Sequence, residues 1–390
     1  MSEEKKRLKI AVIHPRLGFG GSETGAMWST EALKNDHDVT LITGGKIDLE
    51  RLNAYYGTDL RPGELRVLEV PLLFGLHRHR ILAGLHGALF LRACRRIAKS
   101  FDVVTWHYNP CDFGVLSIQF VADFSFAPAL QHKLDPASLS VRSWWYDDTL
   151  LRKAYLGICH SLAPSHPENW KKNVTVANSR WTADILKREF GLIADRVQFP
   201  PVPGDFPIVR WEEKDPGFVC VGSIFPEKRM DAVIGILERV RERGYDLHLH
   251  ILGGLDDSPF AKKIQVLAEQ RRNWVFLEGR VVGAKKRELM AQHKFGINGR
   301  QNEPFGIAVA ELVRAGCITF VPDGGGQTEI TNHPSLVFAN DDDAVEKIVS
   351  VLENQGLQES LVEHLRARRE ELSTEGFQKM IRTLVAEFNT

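Results

Sequence analysis

The 390 residues carry 50 Lys plus Arg against 50 Asp plus Glu, so the formal net charge is zero and the surplus of clustered cations that drives nucleic-acid binding is missing. Length predicts roughly two domains of about 150 to 200 residues, and a hydrophobic content of 43% suffices for folded cores. Five widely spaced cysteines without a Cys-x-x-Cys pair point to neither a disulfide framework nor a thiolate zinc site, and no apolar window reaches the roughly 18 residues of a membrane span, so the chain reads as cytoplasmic.

In chain order, short β-branched runs at 8–14, 38–43, 65–70, 102–107, 116–123, 174–178 and 197–199 alternate with amphipathic stretches. That rhythm predicts a parallel sheet with helices on both faces. The proline-dense, then charged, segment that follows suits neither a central strand nor a helix interior. Residues 201–216 are therefore expected to link an N-terminal domain over 1–200 to a C-terminal domain over 217–373. The alternation restarts with strands expected at 218–221, 247–252, 274–277, 295–298, 318–321 and 336–339, and helices near 230–243, 260–270, 285–292 and 304–315. Phe377, Met380, Ile381, Leu384, Val385 and Phe388 form a helical stripe in the last stretch. The fold class is α/β, two Rossmann-like doubly wound parallel-sheet domains, with ligand loops at the carboxyl ends of the strands facing a central cleft.

The loop Gly18-Phe-Gly-Gly-Ser-Glu23 lies between the first strand and its helix, where Gly20 and Gly21 allow close backbone approach and a helix amide end favours an anion. The same glycines also suit a tight turn without a ligand. A dinucleotide fingerprint would need an acid at the end of the second strand, where 41–45 has none. In Glu303-Pro-Phe-Gly-Ile-Ala-Val-Ala-Glu311 the proline predicts a helix start, with the amides near Phe305, Gly306 and Ile307 pointing outward. On one continuous helix the two acids would stand about 12 Å apart along the axis and about 80° apart around it. That is too far for a hydrolytic pair, whose separation is about 5 to 9.5 Å, and suits two ends of one elongated ligand. No metal cluster is expected: His248 and His250 share a strand face inside a sheet, and Asp341 to Asp343 read as a helix N-terminus.

Taken together, the Gly18 to Glu23 loop, Asn178-Ser179, Phe199-Pro-Pro-Val202, Val221-Gly-Ser-Ile-Phe-Pro-Glu-Lys-Arg229, Ile251-Leu-Gly-Gly254, Gly279-Arg-Val281, the 303–311 block and Pro322-Asp-Gly-Gly-Gly-Gln-Thr-Glu329 resemble the retaining glycosyltransferases of family 4, which have the GT-B fold. The resemblance covers nearly the whole chain. It implies a hexosyltransferase-like enzyme that moves a sugar from a GDP- or UDP-sugar to a hydroxyl of a glycan, lipid-linked or small-molecule acceptor. It assigns Glu303 to the transferred sugar, Glu311 to the ribose hydroxyls, the amides of Phe305, Gly306 and Ile307 to sugar and phosphate, and Lys228 to the diphosphate. Gly20, Gly21, Gly254, Arg280 and Val281 match further donor-binding positions. Ser223 stands where many members have arginine, which leaves Arg229 or Arg300 to supply that charge. His107 ends a strand that faces the cleft in the family, and Asp123 replaces an active-site histidine; both positions read equally as structural residues. The family fold uses Lys, Arg and helix amides in place of a divalent ion, so no metal and no further cofactor is implied, and its final helix crosses back onto the first domain.

The wording of 296–303 is nearer to mannosyltransferase-like relatives, which hints at a guanosine donor. Residues 77–99 are basic with apolar residues between, as in relatives that touch anionic membrane peripherally, or as in a helix packed on the sheet. Trp144, Trp145 and Tyr146 suit either core or an acceptor platform. A non-catalytic nucleotide- or glycan-binding GT-B protein, or an epimerase- or phosphorylase-like enzyme, is the alternative reading. Oligomeric state is not legible.

Overall fold

The computed structural model describes residues 7–70, 82–136 and 149–388, so the aromatic triplet at 144–146 and residues 77–81 lie outside the described residues. In chain order the first part comprises β1 (Lys9–His14), α1 (Gly21–Leu33), β2 (Asp38–Gly44), α2 (Leu49–Tyr56), β3 (Arg66–Val70), α3 (Ala83–Ala98), β4 (Val103–Trp106), β5 (Ile118–Val121), α4 (Pro128–Leu134), α5 (Leu150–Leu162), α6 (Pro167–Trp170), β6 (Val174–Ala177), α7 (Arg180–Phe190) and β7 (Arg196–Val197). The second comprises β8 (Asp215–Val221), α8 (Met230–Glu242), β9 (Leu249–Leu252), α9 (Pro259–Gln270), β10 (Val275–Gly279), α10 (Gly283–Gln292), β11 (His293–Ile297), α11 (Ile307–Arg314), β12 (Ile318–Pro322), α12 (Gln327–Thr331), β13 (Val337–Phe338), α13 (Asp341–Glu353) and α14 (Gln355–Glu371), and α15 (Thr374–Phe388) closes the chain.

Two compact units result. One holds residues 7–128, 149–201 and 374–388, the other 129–136 and 202–373. Residues 129–136, which the sequence assigns to the N-terminal domain, thus belong with the second unit. The first unit is built on a sheet in the order β3-β2-β1-β4-β5-β6-β7, the second on a sheet in the order β10-β9-β8-β11-β12-β13. Every strand pair is parallel. In each sheet the strand order reverses once, between β1 and β4 and between β8 and β11, and loops at the carboxyl ends of such strands are where doubly wound proteins bind ligands.

Burial follows the pleat. On β1, Ile10 and Val12 face α1 and α15 through Met27, Leu33, Phe377, Ile381, Leu384 and Val385. Ala11 and Ile13 face the other side, against Phe90 and Cys94 of α3 and Trp106 of β4. A strand covered on both faces has no polar side, which is why 10–13 is an unbroken apolar run. In the second unit Val219, Val221 and Leu252 pack against Met290, Leu312 and Cys317.

Local signals end the helices. The Ser179 hydroxyl accepts from the Thr182 amide at 3.0 Å to start α7, and left-handed Gly191 stops it. At α13, Asn340 caps the Asp343 amide at 2.9 Å and Asp341 to Asp343 fill the first turn, as the dipole argument requires.

The helix expected from Pro304 instead starts at Ile307, with Gly306 as its cap at φ +102° and Pro304 in the preceding loop. The two acids at 303 and 311 therefore do not share a helix, and the axial separation of about 12 Å has no basis. Substituting Ile381, 1% exposed in the α1–α15 seam, with alanine should destabilise the first unit by about 2–5 kcal/mol in urea unfolding, whereas exposed Lys379→Ala should change it by about 0.5 kcal/mol or less.

Candidate functional site

The loops beyond the carboxyl ends of β8 and β11 converge on one carboxylate. Lys228 closes a short 3-10 turn, Pro226–Lys228, and its Nζ lies 2.7 Å from Glu303 Oε2. Arg300 Nη1 lies 3.0 Å from Oε1 of the same group, so each carboxylate oxygen has one cation. Arg300 Nη2 also stands 3.4 Å from Asp135 Oδ2, from the chain just after α4. The side chains of Lys228, Arg300 and Glu303 are 20%, 22% and 14% exposed, partly shielded yet open to a ligand.

The backbone holds this arrangement from behind. Glu303 pairs with Gly325 after β12, its carbonyl accepts from the Gly326 amide at 2.8 Å, and a Cβ on Gly325 would stand 2.3 Å from that carbonyl, so only glycine fits there. Gln327, fully buried, donates to the Arg300 carbonyl at 2.7 Å and accepts from Asn298 at 2.5 Å. Asn302, at φ +50°, donates to the Leu134 carbonyl at 2.7 Å and ties α4 into the unit.

Burial pushes the Glu303 pKa up, but Lys228 and Arg300 outweigh burial and hold it below the usual carboxylate range. Asp135 goes the other way: burial raises its pKa, and Glu227 and Glu303 reinforce that against the pull of Arg300 and Lys228. The two neighbouring acids are thus shifted in opposite directions. Just beyond Glu303, the first amides of α11 have no partner within their own helix and present positive partial charge.

Phe305 and Gly306 are buried and Ile307 is half-buried at that helix start. Glu311, one turn into α11, is gripped by Lys286 Nζ of α10 at 2.7 and 2.6 Å from its two oxygens. Ser223 is exposed after β8, and Gly254, Arg280 and half-buried Val281 lie after β9 and β10 at the same end of the sheet. Of the two arginines considered in place of Ser223, Arg300 joins Lys228 at Glu303, whereas Arg229 turns to Asp341 at 3.0 Å. Lys286 and Asp135 were not legible: neither lies in a motif, and both reach the site through tertiary packing.

In the first unit, His107 follows β4, is 2% exposed and stacks on Phe120 at 4.1 Å. Its Nε2 has no hydrogen-bond partner among the described residues, and burial with nearby His14 holds the ring neutral. Asp123 Oδ1 accepts from Asn109 Nδ2 at 3.0 Å and the Ser125 amide at 2.9 Å. The Gly20 amide donates to the Tyr56 hydroxyl at 2.9 Å, Gly21 begins α1, and the Ser22 hydroxyl donates to Glu23 at 3.0 Å. An anion reaching Gly20 must compete with that hydroxyl.

The sequence-based exclusion of a histidine cluster is overturned, because His293 at the start of β11 joins His248 and His250. The three are adjacent only across the sheet, so no linear spacing shows them.

Residues 203–368 match the family described as glycosyl transferases group 1. The second unit is thus similar to the group 1 glycosyl transferases over nearly its whole length. The match starts next to the second unit's boundary at 202 and encloses Lys228, Arg300, Glu303 and Glu311. The chain is 25% identical over 183 residues, 43% of its length, to a GDP-Man:Man(3)GlcNAc(2)-PP-Dol alpha-1,2-mannosyltransferase of Eremothecium gossypii, and the match spans 30% of that protein's length. Among solved structures it resembles the Anabaena protein HepE in complex with UDP and glucose, with TM-score 0.68, 12% identity and coverage of 98% of this chain and 100% of that one. Sucrose-phosphate synthase of Thermosynechococcus elongatus follows with TM-score 0.66, 13% identity and coverage of 98% and 99%. The two units have the GT-B fold of two Rossmann-like domains.

Glu303 is stabilised in its ionised form by folding, so its contribution is complete above the unfolded carboxylate pKa of about 4.3 and is lost as pH falls through its depressed folded value. In Lys228→Met the opposing burial contribution gains weight, and the acid limb of the unfolding midpoint should move to higher pH. Calorimetric scans across about pH 3 to 7 check this; coincident acid limbs in wild type and variant would contradict the assigned pairing.

Proposed function

We propose that the chain is a retaining glycosyltransferase that takes a sugar from a nucleotide-diphosphate donor, a GDP-sugar in the first place, and joins it to an acceptor hydroxyl. The observation that carries this reading is the pair of cations, Lys228 and Arg300, set around ionised Glu303 immediately before the amide end of α11 in a unit similar to the group 1 glycosyl transferases. A diphosphate is recognised by this chemistry: it carries more charge than one carboxylate and competes with Glu303 for Lys228, with charge-assisted hydrogen bonds of about 1.5–3 kcal/mol each. Arg300 then supplies the second charge that Ser223 lacks. The GDP-mannose named for the fungal relative supports the guanosine choice.

In this reading the acceptor oxygen bonds to the anomeric carbon as the bond to the diphosphate oxygen breaks, and the acceptor proton passes to the departing phosphate oxygen on the same face. Lys228, Arg300 and the α11 amides stabilise the charge that develops on the leaving group. Glu311 receives the ribose hydroxyls, its carboxylate oriented by Lys286. No metal ion or further cofactor is required by this scheme.

Purified protein with a panel of GDP- and UDP-sugars and hydroxyl acceptors should transfer or slowly hydrolyse one donor. Lys228→Ala should lower kcat by about 10²–10³-fold with a smaller effect on nucleotide affinity, and Glu311→Ala should chiefly reduce the thermal stabilisation given by the nucleotide diphosphate. Unchanged kinetics in Lys228→Ala together with unchanged nucleotide stabilisation in Glu311→Ala would sink the assignment.

For the acceptor we propose a lipid-linked molecule met at a membrane surface. Among the described residues no helix is long and apolar enough to cross a membrane. Helix α3 leaves Arg92, Arg96 and Lys99 exposed along one side, while Arg95 is turned inward to Asp112 at 3.2 Å. On α5, which packs with α3, Leu150, Leu151, Leu156 and Ile158 are exposed. Basic and apolar groups side by side suit the interface of an anionic bilayer. Phosphatidylglycerol vesicles should co-sediment the protein, and Leu151→Asp with Arg96→Glu should abolish this; retention by the double variant contradicts the contact.

A further inference from the structure

We propose that His248, His250 and His293 form a binding site for a divalent first-row transition metal, Zn²⁺ in the first place, at the amino-terminal edge of the second sheet. His293 is the first residue of β11, and His248 and His250 sit just before and within β9. The edge is the opposite one from the loops that hold Lys228 and Glu303, because all strands of this sheet run parallel. The site is thus separate from the donor reading and does not rest on it.

The meeting of the three rings has an identifiable cause. Strands β9 and β11 flank β8, so side chains of the first and third would ordinarily be kept apart by the one between. At Gly217 there is none. A Cβ there would stand 2.1 Å from His248 Nε2, so the histidine ring occupies the space of the missing side chain and reaches across the strand. His248 Nε2 and His293 Nε2 come within 3.1 Å, and one ligand nitrogen from each of the three rings lies within 4.8 Å of the other two. Two imidazoles on a tetrahedral Zn²⁺, with bonds of about 2.0–2.1 Å, place their nitrogens about 3.3–3.4 Å apart.

The outer nitrogens are already oriented as metal ligands require. His293 Nδ1 is 2.7 Å from the Leu289 carbonyl, which only accepts, so the proton lies on Nδ1 and the Nε2 lone pair points inward. His250 Nδ1 is 2.7 Å from Glu278 Oε1, the carboxylate–histidine relation that commonly backs a bound metal. The His250 ring is also held on Phe276 at 4.9 Å, and buried Lys214 donates to the His293 carbonyl at 3.3 Å. His293 is 4% exposed, whereas His248 and His250 are only half-buried and give access from solvent, with the fourth position left to water.

Chelator-stripped full-length protein titrated with Zn²⁺ by calorimetry, and with Co²⁺ by visible absorption, should bind one equivalent of each. His248→Gln and His250→Gln should each weaken binding at least about tenfold, and Glu278→Gln, which leaves the ligands in place, should weaken it by about 10- to 100-fold at unchanged stoichiometry. Both histidine variants lie at partly exposed positions, and far-UV circular dichroism checks their folding; if one fails to fold, the Glu278→Gln affinity still decides. Absence of saturable binding by wild type, or undiminished affinity in the folded variants, overturns the site.

Discussion

A parallel strand cannot turn back on itself by a hairpin, so every successive pair needs a crossover, and the crossover helices cover both faces of the sheet. Much else in this chain depends on that constraint. It makes Ile10 to Ile13 apolar on both sides, it sends α1 to one face of the first sheet, where α15 joins it, and α3 to the other, and it collects the loops at one edge. The reversals between β1 and β4 and between β8 and β11 then decide which of those loops are neighbours.

At the second reversal the consequence is electrostatic. Lys228, Arg300 and Glu303 come from two loops more than 70 residues apart, and their meeting leaves a carboxylate ionised although it is partly buried. Lys228 and Arg300 hold Glu303 between them, while burial raises the pKa of Asp135 on the far side of Arg300. The glycine turn at Gly325 and buried Gln327 supply the rigidity, since a loop carboxylate without them could not be held against two cations in one geometry. Near the opposite edge three imidazoles meet over Gly217. One sheet therefore presents two chemically different ends.

The sheet strands and their order of appearance were legible, because each is a short apolar run between turn signals. Lys228 and Glu303 were legible through motifs that keep their local context. Helix α11 was misplaced by three residues, since Pro304 is acceptable both in a first turn and in the loop before one, and only the contact of Glu303 with Gly325 decides between them. Asp135, Lys286 and His293 were missed for a common reason: each acts on a partner that is distant in sequence, and none lies in a pattern of its own.

By itself, then, the amino-acid order determined the α/β class, the two-part division near residue 200, the absence of a cationic surplus and the identity of the main charged candidates, because periodicity, proline density and composition are local properties. Tertiary structure alone decided which arginine stands beside Lys228, that Glu303 precedes a helix instead of sharing one with Glu311, that residues 129–136 join the second unit, and that three histidines meet over Gly217. Those outcomes are set by strand register and by space left where a side chain is missing, and neither quantity exists before the sheet has formed.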